Sequence, residues 1–351
     1  MSLKAQVNRF RRSVMQGLTK GIGSNSIQKL KNTNNELVVK NVLISRPNQR
    51  LGNTLLITPL IQEIVKTFPE VKIDLFVKGK VAPIIFSNYP QVDQIIELPK
   101  KPFKELLAYI KVWFKLRQKN YDLVINVEKS SSSGRLSTTF AKGQYKLYGD
   151  EFLKNETDED QVHYGKYPVY QFRKFVELFT KKEDNSTYPI LNIQLTAKEI
   201  AKGKATLATL GNDPNKKTLA FFTYATGAKC YPVEWWTNFY NLFYPKYADQ
   251  YNLIEILPVE NISMLEHKLP EFYSKDVREI AAVMHNCELV VAADSGMMHL
   301  SVAAPSKTIG LFKLTSPVKY RPYGKGNSFI IANDDNEQGA LNRVDETLHI
   351  I

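Results

Sequence analysis

Three polar clusters in this chain each stand at the end of an apolar run. Near the C-terminus, the run Leu289–Ala293 leads into Asp294, Ser295 and Gly296, with His299 one helical turn later. A strand feeding a helix through such a turn aims unpaired backbone N–H groups and the positive helix end at one point. Phosphate suits that point. Gly296 admits an anion close to the backbone, Ser295 offers a hydroxyl donor, and His299 can face the same mouth. In the middle of the chain, Thr218–Thr223 leads into a small-residue loop with Thr226, Gly227 and Lys229, after which Pro232, Glu234 and two tryptophans open a helix. A lysine beyond the carboxyl end of a parallel strand is placed to neutralise a diphosphate. Near the N-terminus, Asn41–Ser45 ends in Arg46, Arg50, Gly52 and Asn53, where the arginines could grip an anion. Taken singly, each cluster has a plainer reading, as a structural glycine or a solvated lysine.

The elements that must hold these clusters alternate strand and helix. Apolar runs at Asn41–Ser45, Val71–Val77, Val92–Leu98, Tyr121–Val127, Thr218–Thr223, Asn252–Leu257, Leu289–Ala293 and Thr308–Phe312 read as strands. Val277, Ile280, Ala281, Met284 and Cys287 form a helical stripe. Pro59 predicts a kink, or a helix restarted with Thr58 as its N-cap. The rhythm is that of a parallel sheet with crossover helices, and it occurs twice. The fold class expected is α/β, with two Rossmann-like domains. Acidic residues crowd 149–166, which reads as a mobile surface loop, and 181–189 has the polarity of a linker. The expected division is a basic extension over 1–40, one domain over 41–185 and a second over 186–351.

Composition narrows the class. The 351 residues, 43% of them hydrophobic, can build two cores. Two cysteines, Cys230 and Cys287, exclude a disulfide framework and read most easily as a reducing compartment. No apolar run is long enough to span a bilayer, and the N-terminus lacks a signal-peptide core, so a cytoplasmic location is expected. The net charge is +12. Residues 1–40 hold eight Lys/Arg against Glu36, and residues 100–119 hold seven against Glu105. The second stretch interleaves its cations with Phe103, Leu106, Leu107, Ile110, Trp113 and Phe114 at helical spacing. Two readings stay open: a helix docking on anionic lipid, or an ordinary surface helix with its apolar side in the core. No nucleic-acid-binding module is recognisable, and nucleic acid is not the expected partner.

The ordered set of clusters resembles glycosyltransferase family 9, the ADP-heptose:lipopolysaccharide heptosyltransferases. Gly52, Thr58, Pro59, Phe68 and Pro69 follow its N-terminal pattern. Lys229 to Pro232 follow its middle pattern, with Tyr231 in a tryptophan slot. Asp294, Ser295, Gly296 and His299 match its C-terminal signature. The resemblance spans about residues 41–329, with weaker echoes at Asn88–Asp93, Tyr121–Asn126, Arg135 and 141–149. It implies a GT-B fold, two Rossmann-like domains facing across a cleft, with the acceptor on the N-terminal half and the nucleotide-sugar donor mainly on the C-terminal half. By position, Thr226, Gly227, Lys229, Ser295, Gly296 and His299 would hold the donor, and Asp294 would fix the loop or bind the sugar. Glu260 would fill an acidic ribose slot. Arg46, Arg50, Gly52 and Arg135 would meet the acceptor. No cofactor or metal is implied, because cations and helix ends stabilise the leaving diphosphate.

One departure bears on chemistry. Asn53 stands where the family places an Asp that serves as general base, and an amide accepts no proton. Glu128, at the end of the Tyr121 strand, is the alternative base. The leading expectation is an inverting transferase moving heptose, or a hexose-like sugar, from a nucleotide diphosphate (ADP-heptose foremost) to a lipopolysaccharide-core or related glycolipid, peripheral on the inner membrane face. The alternatives are a catalytically impaired donor- or glycolipid-binding protein, as Asn53 suggests, and a sugar-nucleotide epimerase.

Overall fold

The computed structural model describes residues 19, 21–23, 37–99, 105–153, 158–211, 213–332 and 336–349. Most of the basic extension, together with Lys100, Lys101, Phe103 and Lys104, lies outside the described residues.

Two parallel sheets organise the chain. The first has strands β1 (Asn41–Arg46), β2 (Lys72–Lys78), β3 (Val92–Leu98), β4 (Asn120–Asn126) and β5 (Lys142–Leu147), in the order β3-β2-β1-β4-β5. The second has β6 (Lys217–Phe222), β7 (Tyr251–Ile256), β8 (Glu271–Phe272), β9 (Leu289–Ala293), β10 (Thr308–Phe312) and β11 (Ser328–Ile331), in the order β11-β10-β9-β6-β7-β8. Each order reverses direction beside its first strand. A crevice therefore opens at the carboxyl ends of β1 and β4, and another at those of β6 and β9. All eight strands read from the sequence are present. The three not anticipated, β5, β8 and β11, lie at or beside sheet edges. They are short or polar, and β5 reads Lys-Gly-Gln-Tyr-Lys-Leu, with too little apolar alternation to stand out.

The helices that frame the site are α1 (Leu51–Leu55), α2 (Thr58–Thr67), α3 (Leu106–Lys115), α4 (Ser132–Phe140), α5 (Tyr167–Thr180), α6 (Ala197–Thr209), α7 (Val233–Tyr247), α8 (Val277–His285), α9 (Gly296–Ala303) and α10 (Glu337–His349). Pro59 does separate two helices. Ile57, rather than Thr58, is the N-cap of α2, and the Thr58 hydroxyl instead donates to the Leu55 carbonyl, closing the end of α1 at 2.8 Å. Helix α5 is locked to α2 by a buried bidentate pair, in which Arg173 Nε and Nη2 each lie 2.9 Å from a Glu63 carboxylate oxygen. Residues 181–196 carry no helix or strand, and Arg173 holds them through the Ser186 carbonyl at 2.6 Å.

The surface loop expected over 149–166 is overturned for residues 158–166. Asp158 caps a short helix, Glu159–Val162, and His163 is fully buried. Its Nε2 lies 2.9 Å from the Arg321 carbonyl, and its Nδ1 accepts the Gly165 N–H at 3.1 Å. The Tyr164 N–H donates to the Lys319 carbonyl at 3.0 Å, and Glu159 pairs with both Lys166 and Arg321. The acids that suggested a solvated loop are taken up locally, Asp158 as a helix cap and Asp160 by Lys166, while Glu159 also reaches Arg321 in the second half of the chain. This stretch is a strap between the two halves.

Candidate active site

The polar clusters all lie where strand order reverses. Past the end of β6, Thr226 begins a tight turn over Gly227–Lys229, with Gly227 at φ +70°, a conformation that favours glycine. The turn presents Lys229, whose Nζ lies 2.7 Å from Asp294 Oδ2 beyond the end of the neighbouring strand β9. Asp294 is buried and also accepts the Thr315 hydroxyl. Its carboxylate thereby fixes Lys229 and the loop after β10 in one arrangement. Ser295 caps α9, its Oγ accepting the Met297 N–H at 3.2 Å, which leaves the hydroxyl proton free to point outward. The first N–H groups of α9 and the Lys229 ammonium thus bound one electropositive mouth.

His299 is buried beneath this mouth. Burial lowers its pKa from 6.5 to about 4, Asp294 opposing the shift and Lys229 adding to it. The imidazole is neutral at pH 7, and no hydrogen bond occupies its ring nitrogens among the described residues. It can donate or accept toward a ligand without adding charge.

The first sheet supplies the facing wall. Helices α1 and α9 meet end to end, so closely that a Cβ on Gly52 would fall 2.7 Å from the His299 ring and 3.3 Å from Gly296 Cα. Two glycines predicted from separate motifs therefore form one contact, and each is needed for the other's approach. Asn53, half-buried on α1, makes no side-chain hydrogen bond among the described residues. Arg46 and Glu128 leave the ends of β1 and β4 as a buried ion pair at 3.4 Å. Glu128 Oε1 also accepts the Ser130 hydroxyl at 2.7 Å.

Several site residues escaped the sequence reading. The rings of Tyr164 in the strap and Tyr320 lie 4.9 Å apart, tilted by 32°, and Tyr320 lies 6.3 Å from the His299 ring. Burial raises the Tyr320 pKa, and so do the negative charges of Glu128 and Asp294, one from each sheet. That phenol therefore marks where the two walls come together. Thr315 was missed as well. Nothing in local periodicity distinguishes these residues, because their importance comes from packing between segments far apart in sequence.

Other predicted residues stand apart. Arg50 is exposed at the N-cap of α1. Arg135, on α4, spends its guanidinium on the carbonyls of Lys129 and Ile22 and on Asp150. Glu260 lies exposed in the turn after β7. The buried acid near that turn is Glu255, held by Thr223 at 2.6 Å and Ser263 at 2.5 Å. Among the described residues, no group of three or more His, Cys, Asp or Glu is placed to hold a metal ion.

Two Rossmann-like sheets that face each other at their switch points, with Lys229 and the start of α9 on one side and Glu128 on the other, define a GT-B architecture. The sequence profile of glycosyltransferase family 9 (heptosyltransferase) matches residues 275–350. Lipooligosaccharide heptosyltransferase 2 of Haemophilus influenzae is 25% identical over 316 residues, covering 80% of this chain and 85% of that protein. Lipopolysaccharide heptosyltransferase 3 of Escherichia coli is 34% identical over 82 residues, 22% of this chain and 23% of that protein. Among solved structures, a family 9 glycosyltransferase from Veillonella parvula superposes with a TM-score of 0.69 at 16% identity, over 90% of this chain and 99% of that one. E. coli heptosyltransferase WaaC with ADP superposes with a TM-score of 0.65 at 18% identity, over 88% and 99%. The chain is thus similar to heptosyltransferases of glycosyltransferase family 9 in its C-terminal segment and over most of its length.

Proposed function

We propose that the protein transfers heptose from ADP-heptose to a lipopolysaccharide-core acceptor, with inversion. The observation that carries this reading is the Lys229–Asp294 pair beside the Ser295–Gly296 end of α9, which meets α1 at Gly52, with the Arg46–Glu128 pair past the ends of β1 and β4. The similar proteins are named for heptose transfer to lipopolysaccharide or lipooligosaccharide, and one similar structure holds ADP. In this reading residues 186–351 bind the donor and residues 41–185 the acceptor. The departing diphosphate lies against Lys229, Thr226, Gly227 and the N–H groups of α9, which neutralise the charge that grows as the glycosidic bond breaks. Ser295 and neutral His299 donate to its oxygens or to the sugar. The acceptor hydroxyl, oriented by the Asn53 amide, gives its proton to Glu128, which Arg46 holds in place. Arg46 also offers charge to an anionic acceptor, and Arg50 extends that charge at the rim. The cationic surface suits work at the inner face of an anionic membrane.

An impaired binding protein is not favoured, because a second carboxylate is present in the cleft. Calorimetric titration with ADP, UDP and GDP tests the donor assignment. ADP should bind to the wild type and bind far more weakly to Lys229→Ala, whereas binding to none of the three would overturn the assignment.

A further inference from the structure

Helix α3 has two apolar sides. One packs Tyr109, Val112 and Trp113 against Phe76, Leu98 and Leu116, covering a face of the first sheet. The other carries Leu106, Leu107, Ile110 and Phe114 in open solvent, with Leu107 76% and Phe114 61% exposed. A crossover helix needs only the first side. The second is an apolar row roughly 12 Å long at 1.5 Å per residue, and it has no partner among the described residues. Its surroundings are cationic. Lys111, Lys115, Arg117 and Lys80 are exposed, and no carboxylate pairs with them among the described residues. Glu105 is the single acid between residues 99 and 119, and the sequence adds Lys100, Lys101 and Lys104 immediately before the helix.

We propose that this face of α3 is the membrane anchor, inserting Leu106, Leu107, Ile110 and Phe114 among acyl chains while Lys111, Lys115 and Arg117 meet anionic headgroups. The charge selects the occupant: a protein partner would need a matching acidic surface, whereas an anionic bilayer supplies both layers at once. Placement agrees. Helix α3 starts from the carboxyl end of β3, the sheet edge that also carries Arg46 and Glu128. Docking would therefore bring the acceptor wall to the lipid surface. The inference rests on the proposed glycolipid acceptor only for its purpose, not for the binding itself.

Co-sedimentation of the full chain with phosphatidylcholine vesicles, with and without 30% phosphatidylglycerol, tests it. Wild type should bind the anionic vesicles. Leu107→Asp/Phe114→Asp should lose that binding, and Lys111→Gln/Lys115→Gln should weaken it by roughly fivefold per cation. All variants should keep their ADP affinity, because these side chains are remote from the donor mouth. Unchanged vesicle binding by the Leu107/Phe114 variant would overturn the proposal. So would wild type that ignores anionic vesicles, including wild type that forms dimers abolished by the same variant. Failure of ADP to bind would instead count against the functional reading and leave this one standing.

Discussion

Gly52→Ala isolates the contact on which the site depends. The new methyl group would sit 2.7 Å from His299 Cδ2 and 3.3 Å from Gly296 Cα, against the ~3.5–4.0 Å that carbon atoms prefer. Neither neighbour yields readily, since His299 is buried and Gly296 opens a helix. Within α1 itself, alanine is favoured over glycine by about 0.8–1 kcal/mol. Overpacking costs about 1–3 kcal/mol if the walls stay together, and separating them by ~1 Å avoids that cost. The variant should therefore keep its melting temperature to within a few degrees while holding the two walls apart. A misplacement of ~1 Å between reacting groups can cost about 10²-fold in rate, so kcat/KM should fall by about 10- to 100-fold with ADP affinity nearly intact. Gly296→Ala approaches the same contact from the other side, its Cβ meeting Leu51 Cβ at 3.1 Å and the Gly52 nitrogen at 3.2 Å. The two substitutions should be strongly non-additive. Steady-state kinetics with calorimetry checks both. A Gly52→Ala enzyme with wild-type kcat/KM would refute the claim that the helix ends must meet.

Three other outcomes follow from the same geometry. Lys229→Ala should weaken nucleotide binding by about 30- to 100-fold, since charge-assisted contacts are worth about 2–3 kcal/mol. Stability should also fall, by about 1–3 kcal/mol, because the buried Asp294 carboxylate loses its cation and keeps only the Thr315 hydroxyl; calorimetry and thermal melts read the two effects separately. Glu128→Gln should lower kcat by about 10²–10⁴ with nucleotide affinity retained, and an unchanged kcat would remove Glu128 as the base. Acid should weaken the fold through His163, whose pKa burial lowers from 6.5 to about 4. Below pH 6.5 the unfolded chain takes up a proton that the folded imidazole refuses, so stability is present above that pH and lost as pH falls toward 4, by about 2 kcal/mol at pH 5. Urea melts at pH 7 and pH 5 should therefore show a smaller acid loss for His163→Asn than for wild type. An equal loss would contradict the assignment of a neutral, buried His163.

The sequence made the central strands legible because each is a continuous apolar run ending in small polar residues, the pattern of a strand buried on both faces. The same pattern singled out Lys229, Asp294, Ser295, Gly296 and His299 as candidates, since helix ends and strand ends are local features. What it hid was long-range. The strap looked like a solvated loop because its acids find Lys166 and Arg321 only in the folded chain. Tyr164, Thr315 and Tyr320 carry no local signal. Arg135 suggested ligand contact by charge, yet the fold uses it to hold carbonyls. Helix α3 was legible as amphipathic, but only the structure separates the apolar side that packs from the one that does not.

The most direct test of the account is ADP release from ADP-heptose, measured with and without a heptose-deficient lipopolysaccharide core. The account predicts release that depends on the acceptor, matched by one heptose added to it, and suppressed in Lys229→Ala. Release that ignores the acceptor, or none with either substrate present, would contradict it.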